Sequence, residues 1–217
     1  VRLVAVSNRL PISIRRDKGE LMVRPGSGGL ITALAPVLRN RGGLWIGWPG
    51  SDGDSIPEEM MLQASKEAGY DLKSVHLNQE DVQLYYFGFS NETIWPLFHD
   101  LQSRCKFNPQ YWYRYQMVNE KFADAIALNT SEKDYIWIHD YHLMLLPGLL
   151  RDRLPETRII YFLHTPFPSS ELFRLLPWRR ELVQGMLGAD LIGFHTYDYL
   201  RHFRATIQRV LGVETDR

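Results

Sequence analysis

Residues 134–168, DYIWIHDYHLMLLPGLLRDRLPETRIIYFLHTPFP, decide the fold of this chain. Residues 135–138 form a short aromatic and β-branched run, which is typical of a strand buried on both faces. A helical pattern follows over residues 143–154 and ends at Pro155, and residues 158–163 are a second apolar run. Two strands joined by one helix are expected to lie parallel, with a right-handed crossover. The stretch therefore predicts a strand–helix–strand unit of a parallel sheet.

Both strands of this unit end in polar residues. The first stops at His139, Asp140 and His142, and the second stops at His164, which Thr165 follows. The carboxyl ends of parallel strands meet at one edge of the sheet, and open α/β folds bind their ligands there. The sequence thus places Asp140 beside His164 at a ligand site.

The rest of the chain continues the alternation of strands and helices. We predict further strands over residues 3–7, 43–48, 73–77 and 190–194, and helices over residues 57–68, 111–128, 169–189 and 197–211. A hairpin is predicted over residues 12–23 with Asp17, Lys18 and Gly19 as its turn, and residues 51–56 read as a polar loop. The predicted fold class is α/β with a mostly parallel sheet.

Two further stretches contain groups that can bind an anion. Arg9 follows the first strand, and its planar guanidinium fits phosphate or carboxylate, although a surface arginine that caps a turn explains it equally. Residues 25–29, PGSGG, precede a helical pattern, and a helix that begins after glycines offers backbone N–H groups to an anion. Their spacing matches neither a dinucleotide nor a nucleoside-triphosphate motif, so a plain loop remains the alternative.

Aromatic residues are dense in two places. Trp45 and Trp48 share a strand at odd spacing, which puts them on opposite faces, one in the core and one free to reach a ligand. Residues 80–95 carry five aromatic rings that most simply belong to the core. Tyr86 and Trp95 also carry a polar group, a hydroxyl and an indole N–H, and the flat C–H faces of sugars pack on such rings.

The strand-end histidines raise the alternative of a metal site. His139, His164 and His195 each close a strand, but the sequence does not show that they converge as a catalytic zinc requires. Asp140 is the one carboxylate at these strand ends, and no His-Glu-x-x-His pattern occurs. We therefore interpret the histidines as hydrogen-bonding groups and predict no metal.

Composition excludes several classes of function. The chain has 217 residues with 25 Lys and Arg against 25 Asp and Glu, so nothing favours a nucleic-acid or membrane-surface partner. No apolar run is long enough to span a bilayer. The single Cys105 forms no internal disulfide, and we expect a cytoplasmic location. A homo-oligomer is compatible with the sequence, which does not fix the oligomeric state.

Seven segments together resemble the N-terminal half of the trehalose-6-phosphate synthases, retaining enzymes of glycosyltransferase family 20. They are VSNRLP, GSGGL, GLWIGWPG, YYFGFSN with WPLFHD, IWIHDYHLMLLP, FLHTPFPSSE and DLIGFHT, and they span nearly the whole chain. The resemblance implies a Rossmann-like three-layer domain, the N-terminal half of a GT-B glycosyltransferase. Residues 1–217 are then one acceptor-side domain, and the C-terminal nucleotide-sugar domain is absent.

The resemblance also implies roles for individual residues. The catalytic pair would be Asp140, on hydroxyls of the acceptor glucose 6-phosphate, and His164, on the glucose transferred from UDP-glucose. The other substrate-binding residues would be Arg9 and Tyr86 at the acceptor phosphate, Gly28 and Gly29 at the donor diphosphate, and Trp48 and Trp95 at the acceptor sugar. Trp95 and Thr165 would select the anomer.

The implied reaction is a front-face glucosyl transfer that gives trehalose 6-phosphate. It uses no cofactor, no metal and no protein nucleophile, which agrees with the lack of a paired-carboxylate motif. Because the donor-side residues belong to the other half in this family, we expect the chain alone to bind acceptor weakly and to transfer no glucose. Two alternatives stay open: a glucosylglycerol-phosphate synthase, and a non-catalytic sugar-phosphate-binding domain.

Overall fold

The computed structural model describes residues 1–17, 20–51 and 56–214. The predicted hairpin turn at Lys18 and Gly19, and most of the predicted polar loop, lie outside the described residues. The described strands are β1 (Leu3–Arg9), β2 (Ile12–Asp17), β3 (Glu20–Pro25), β4 (Leu44–Trp48), β5 (Asp71–Ser74), β6 (Tyr135–His139), β7 (Arg158–Phe162) and β8 (Leu191–Gly193).

The helices cover the segments between the strands. The α-helices are α1 (Gly29–Arg41), α2 (Glu58–Ala68), α3 (Gln79–Asp81), α4 (Trp95–Phe98), α5 (Pro109–Asn129), α6 (Leu146–Arg153), α7 (Ser170–Phe173), α8 (Arg179–Met186) and α9 (Tyr197–Leu211). A π-helix (Val82–Ile94) joins α3 to α4, and 3₁₀ turns occupy Gln102–Arg104 and Tyr141–Leu143. Within the described ranges, no helix combines the length and the apolar character that a membrane crossing needs.

Six strands form one parallel sheet in the order β5-β4-β1-β6-β7-β8, and β2 and β3 form a separate antiparallel hairpin. Counted along the chain, the order in the sheet is 3-2-1-4-5-6, which is the Rossmann order. The predicted α/β class and the parallel pairing of the central unit are confirmed, with Tyr135 opposite Arg158 and His139 opposite Phe162. The order in which strands are added reverses between the parallel strands β1 and β6, and a ligand crevice is expected at that point.

The sheet carries a core on each face. Along β1, Val4 and Val6 belong to one buried cluster and Ala5 belongs to the other, because successive side chains of a strand alternate. Trp45 and Trp48 divide in the same way, as their odd spacing predicts. Helices on both faces complete the three layers.

The strand predicted over residues 73–77 begins two residues and ends three residues later than the observed strand β5. Residues 73–77 were expected, whereas β5 spans Asp71–Ser74 because Leu44 pairs with Asp71 at the start of β4. Leu72 is buried in this strand, while Val75 and Leu77 remain buried beyond its end. Pairing with the neighbouring strand set the boundary.

The helix of the central unit begins later than predicted. Residues 141–143 form a 3₁₀ turn and α6 starts at Leu146, with Pro147 in its first turn. The hydroxyl of Tyr115 accepts from the backbone N–H of Met144 at 3.0 Å and donates to the carbonyl of Tyr141 at 2.8 Å. These bonds from α5 satisfy the backbone carbonyl of Tyr141 and the backbone N–H of Met144 outside any α-helix, at the 3₁₀ turn.

Candidate active site

A cavity of about 400 Å³ opens at the carboxyl edge of the sheet, where the strand order reverses. Its lining comes from the ends of β1 and β6, one residue of β4, the second residue after β7, the start of α1 and the π-helix. The lining residues are Ser7, Asn8, Arg9, Leu10, Ser27, Gly28, Gly29, Leu30, Ile31, Trp45, Tyr86, His139, Asp140, His142 and His164. Six of the eight predicted substrate-binding residues therefore share one cavity: Arg9, Gly28, Gly29, Tyr86, Asp140 and His164.

Asp140 has a strained backbone that the neighbouring strand holds in place. Its φ of 74° and ψ of 172° lie in a region that is almost exclusive to glycine. Its N–H donates to the carbonyl of Phe162 at 2.8 Å, and its own carbonyl accepts from the hydroxyl of Tyr161 at 3.0 Å. Strain of this kind persists only where the surroundings over-determine it, and it concentrates at functional sites.

The carboxylate of Asp140 lies in a cradle of backbone N–H groups. Its Oδ1 accepts from Tyr141 at 3.0 Å and from His164 at 3.3 Å, so the predicted juxtaposition of Asp140 and His164 is confirmed. Burial raises the pKa of Asp140, and the N–H groups of Tyr141, His164 and Thr165 oppose that rise. A fixed acceptor at the edge of a cavity is suited to hold hydroxyl groups.

The strand-end histidines converge as a chain of rings. His139 Nδ1 lies 3.0 Å from His164 Nε2, and the rings of His164 and His195 are 5.6 Å apart. Burial lowers the pKa of His139 to about 3 and that of His164 to about 4. Within the described ranges, no group of three or more His, Cys, Asp or Glu is arranged to hold a metal ion. The rings of His139 and His164 are neutral near pH 7, and the two residues share a hydrogen bond.

Arg9 is held above the ring of Trp48. Its guanidinium carbon lies 4.7 Å from the centre of that ring, which packs in turn on Tyr86 at 5.9 Å. The cation–π contact and the close approach of Gly50, where an added Cβ would stand 2.3 Å from Nη2 of Arg9, define the position of the guanidinium. Trp48 is therefore a buried support beneath the cavity, and its predicted contact with the acceptor stays a prediction.

The glycine-rich turn has the shape that its sequence suggests. Gly28 precedes α1 with a φ of 143°, a conformation that favours glycine, and Gly28, at the N-cap position, offers the helix no side-chain cap. A Cβ at Gly28 or Gly29 would meet no atom of the described residues within 4 Å, so these residues leave this side of the loop open. The first backbone N–H groups of α1 thus remain available to an anion.

Trp95 and Thr165, like Trp48, do not line the cavity. Trp95 is the first residue of α4, 39% exposed, and its ring stacks on His99 with 4.2 Å between the ring centres. Thr165 follows His164 and is buried. The structure leaves the predicted roles of Trp95 and Thr165 in anomer selection as predictions.

Sequence patterns did not reveal the residues that support the site. Tyr161 is an ordinary strand residue by its pattern, yet its hydroxyl holds Asp140. Asn91 accepts from the hydroxyl of Tyr141 at 3.0 Å, a contact between residues 50 positions apart. Asn8 belongs to the polar end of β1, and its Oδ1 accepts from Tyr85 at 2.9 Å. The sequence signal that points to Asn8 is its place among the polar residues at the end of β1.

Comparison with known proteins assigns the family. The model of glycosyltransferase family 20 matches residues 1–217. The chain belongs to glycosyltransferase family 20. The chain is 43% identical over 222 residues to the 56 kDa subunit of a UDP-forming α,α-trehalose-phosphate synthase from Kluyveromyces lactis. That match covers 98% of this chain and 45% of the relative, so the chain spans less than half of the relative's length.

Solved structures agree with the family assignment. A UDP-forming α,α-trehalose-phosphate synthase from Burkholderia xenovorans, in complex with glucose-6-phosphate, is 31% identical with a TM-score of 0.78 and covers 96% of this chain and 43% of that chain. An E. coli structure bound with UDP-2-fluoro glucose is 32% identical with a TM-score of 0.83, covering 100% and 45%. The Rossmann-like fold and the resemblance to family 20 that the sequence motifs indicated are both confirmed.

Proposed function

We propose that this chain is the acceptor-side domain of a retaining glucosyltransferase that moves glucose from UDP-glucose to glucose 6-phosphate and forms trehalose 6-phosphate. The observation that carries the proposal is the single cavity lined by Arg9, Tyr86, Asp140 and His164 with the glycine turn. The relatives above supply the substrate classes, because their structures hold glucose-6-phosphate and a UDP-sugar.

The acceptor side follows from charge and geometry. A sugar phosphate carries about −1.5 to −2 charges at pH 7, and Arg9 offers a fork of N–H donors held above Trp48. Tyr86 lines the same cavity and adds a hydroxyl donor. Asp140, which follows the adjacent strand β6, accepts from sugar hydroxyls, so the phosphate and the reacting hydroxyl are fixed by different groups.

The donor side uses the glycine turn and His164. The N–H groups at the start of α1 suit a diphosphate, and the open space above Gly28 and Gly29 allows close approach. His164 binds the transferred glucose. The remaining donor contacts belong to a second domain, which we propose because the matched relatives are more than twice as long as this chain.

The chemistry is a front-face displacement. The bond between the anomeric carbon and the diphosphate oxygen breaks while a bond to the acceptor hydroxyl forms on the same face of the sugar. The proton of that hydroxyl passes to the leaving diphosphate. Asp140 is the one carboxylate among the described residues that line the cavity, so this lining does not supply the carboxylate pair of a double displacement.

Calorimetric titration of the chain tests the acceptor side. Glucose 6-phosphate is expected to bind more tightly than glucose, and Arg9→Ala should weaken binding of the phosphate ester about 10- to 100-fold, since a charged hydrogen bond contributes about 1.5–3 kcal/mol. Arg24→Ala, an exposed arginine of the hairpin outside the cavity lining, is the matched control. Equal affinity for glucose and glucose 6-phosphate would contradict the proposal.

A coupled assay of UDP release tests the transfer. The full-length protein is expected to turn over with glucose 6-phosphate, and the chain alone is expected to show none. Turnover with glycerol 3-phosphate instead would favour the glucosylglycerol-phosphate alternative. Binding without turnover by the full-length protein would favour a sugar-phosphate-binding domain. A cytoplasmic location and a homo-oligomer are part of the same proposal and need fractionation and sedimentation measurements.

A further inference from the structure

His139 and His164 are joined by one hydrogen bond, and its proton can belong to either ring. His139 Nδ1 and His164 Nε2 are 3.0 Å apart, so one of them donates and the other accepts. The lowered pKa values of His139 and His164, about 3 and about 4, keep both rings neutral at pH 7. Each ring then carries a single proton, and the choice made at this bond fixes the state of all four nitrogens.

The other nitrogen of His139 decides between the two arrangements. His139 Nε2 is buried and has no hydrogen-bond partner among the residues that the structure describes, and the residue is only 1% exposed. The centre of the neighbouring Trp137 ring lies 4.8 Å from that of His139, and the Nε1–H of Trp137, which can only donate, is also buried with no partner in the described part of the chain. A proton on His139 Nε2 would put a second unpaired N–H donor into this buried region, in the ring next to Trp137. A lone pair on Nε2 avoids that second donor, and buried N–H groups without a partner are rare in folded proteins.

We propose that His139 is a positioning residue: it donates from Nδ1 to His164 Nε2 and so fixes His164 in the tautomer that carries its proton on Nδ1. The Nδ1–H of His164 is then the ring group left to a ligand, and it presents a donor rather than an acceptor. A donor of this kind suits an oxygen of the transferred sugar or of the departing diphosphate. That use rests on the proposed function, whereas the tautomer does not.

Nitrogen NMR tests the tautomer directly. The chain has seven histidines, so a ¹⁵N-histidine sample gives few signals, and single substitutions assign them. Both His139 and His164 are expected to show the pattern of a proton on Nδ1 and a bare Nε2 at pH 7. A proton on Nε2 of His164 would overturn the proposal. Because this measurement needs no substrate, its result is independent of the transferase assay.

Paired substitutions test the positioning role in the full-length protein. His139→Leu removes the donor, so His164 should shift to a mixture of tautomers and kcat/KM for UDP-glucose should fall about tenfold. His139→Asn places an amide N–H near the position of Nδ1 and should recover both the tautomer and most of the rate. His76→Leu, an exposed histidine outside the cavity lining, is the control.

The outcomes separate the two proposals. Loss of rate in both His139 variants with the His164 tautomer unchanged would show a merely structural role and overturn the positioning proposal. Unchanged kinetics in a folded His139→Leu protein would overturn it as well. If no variant and no wild-type sample transfers glucose while the tautomers are as expected, the proposed function fails and the assignment of the proton to His164 Nδ1 is supported.

Discussion

The hydroxyl of Tyr161 donates a 3.0 Å hydrogen bond to the backbone carbonyl of Asp140. Tyr161 is the penultimate residue of β7, and Asp140 directly follows the adjacent strand β6. Asp140 adopts a φ of 74°, a backbone angle that residues other than glycine rarely adopt. The neighbouring strand therefore holds a strained residue at the site. The bond links the stability of the sheet to the geometry of the cavity.

Tyr161→Phe should therefore lower both stability and acceptor binding. The substitution leaves a carbonyl without its partner, and we expect the free energy of unfolding to fall by about 1–2 kcal/mol. Urea denaturation measures that loss, and titration with glucose 6-phosphate measures the effect on the site. Tyr113→Phe, at a position that is 62% exposed, should change neither quantity. Full stability and full affinity in Tyr161→Phe would show that the bond does not hold Asp140.

Asp140→Gly and Asp140→Ala separate the strain from the loss of the carboxylate. Both variants remove the acceptor for sugar hydroxyls and should lose acceptor binding. Alanine keeps the Cβ that makes a φ of 74° costly, whereas glycine does not. The glycine variant should thus be about 1–3 kcal/mol more stable than the alanine variant in urea denaturation. Equal stabilities would mean that the backbone relaxes when the carboxylate is removed.

Gly50→Ala should displace Arg9 with little further damage to the fold. The added Cβ would overlap the guanidinium, which is the far end of a flexible side chain and can move. We expect about 1 kcal/mol of lost stability from the φ of +84°, and about tenfold weaker binding of glucose 6-phosphate in calorimetry.

Gly69→Ala is the matched control for this change. Gly69 has a similar φ of +78°, and its nearest neighbour is the Arg39 side chain, which does not line the cavity. The control should lose the same stability and keep its affinity. If both variants bind alike, Arg9 does not depend on its contact with Gly50.

The free energy of unfolding should fall at acidic pH because the buried histidines stay neutral in the folded chain. The pKa of His139 is lowered to about 3 and that of His142 to about 4, against 6.5 in an unfolded chain. Below pH 6.5 the unfolded chain takes up protons that the folded chain does not, so the folded state loses stability as pH falls. Each histidine should contribute about 2 kcal/mol to the difference between pH 7 and pH 5.

Urea denaturation at pH 7 and pH 5 measures this difference. His142→Gln removes one titrating group and should shrink the difference by its share. His76→Gln, which is exposed, should leave the difference unchanged. Wild-type stability that is equal at the two pH values would show that the histidines are not buried in their neutral form.

The strand pattern predicted much of the site before the structure. Apolar runs that stop at polar residues predicted the ends of β1, β6 and β7, and parallel pairing then required Asp140 and His164 to meet. The position of Tyr86 was not predicted in the same way. Tyr86 lies in the π-helix Val82–Ile94, and the apolar residues of that segment do not recur with a period that predicts one buried face. Packing of Tyr85 and Phe89 on Tyr115 positions that helix.

Local sequence thus determined where strands and helices lie and which residue types reach the carboxyl edge, because side-chain periodicity and chain connectivity act over a few residues. Tertiary structure alone decided that Trp48 lies beneath Arg9, that Asp140 is strained against Tyr161, and that His139 shares a proton with His164. Those relationships join residues 21 to 39 positions apart, and only the packing of the whole sheet brings them within hydrogen-bond or ring-contact distance.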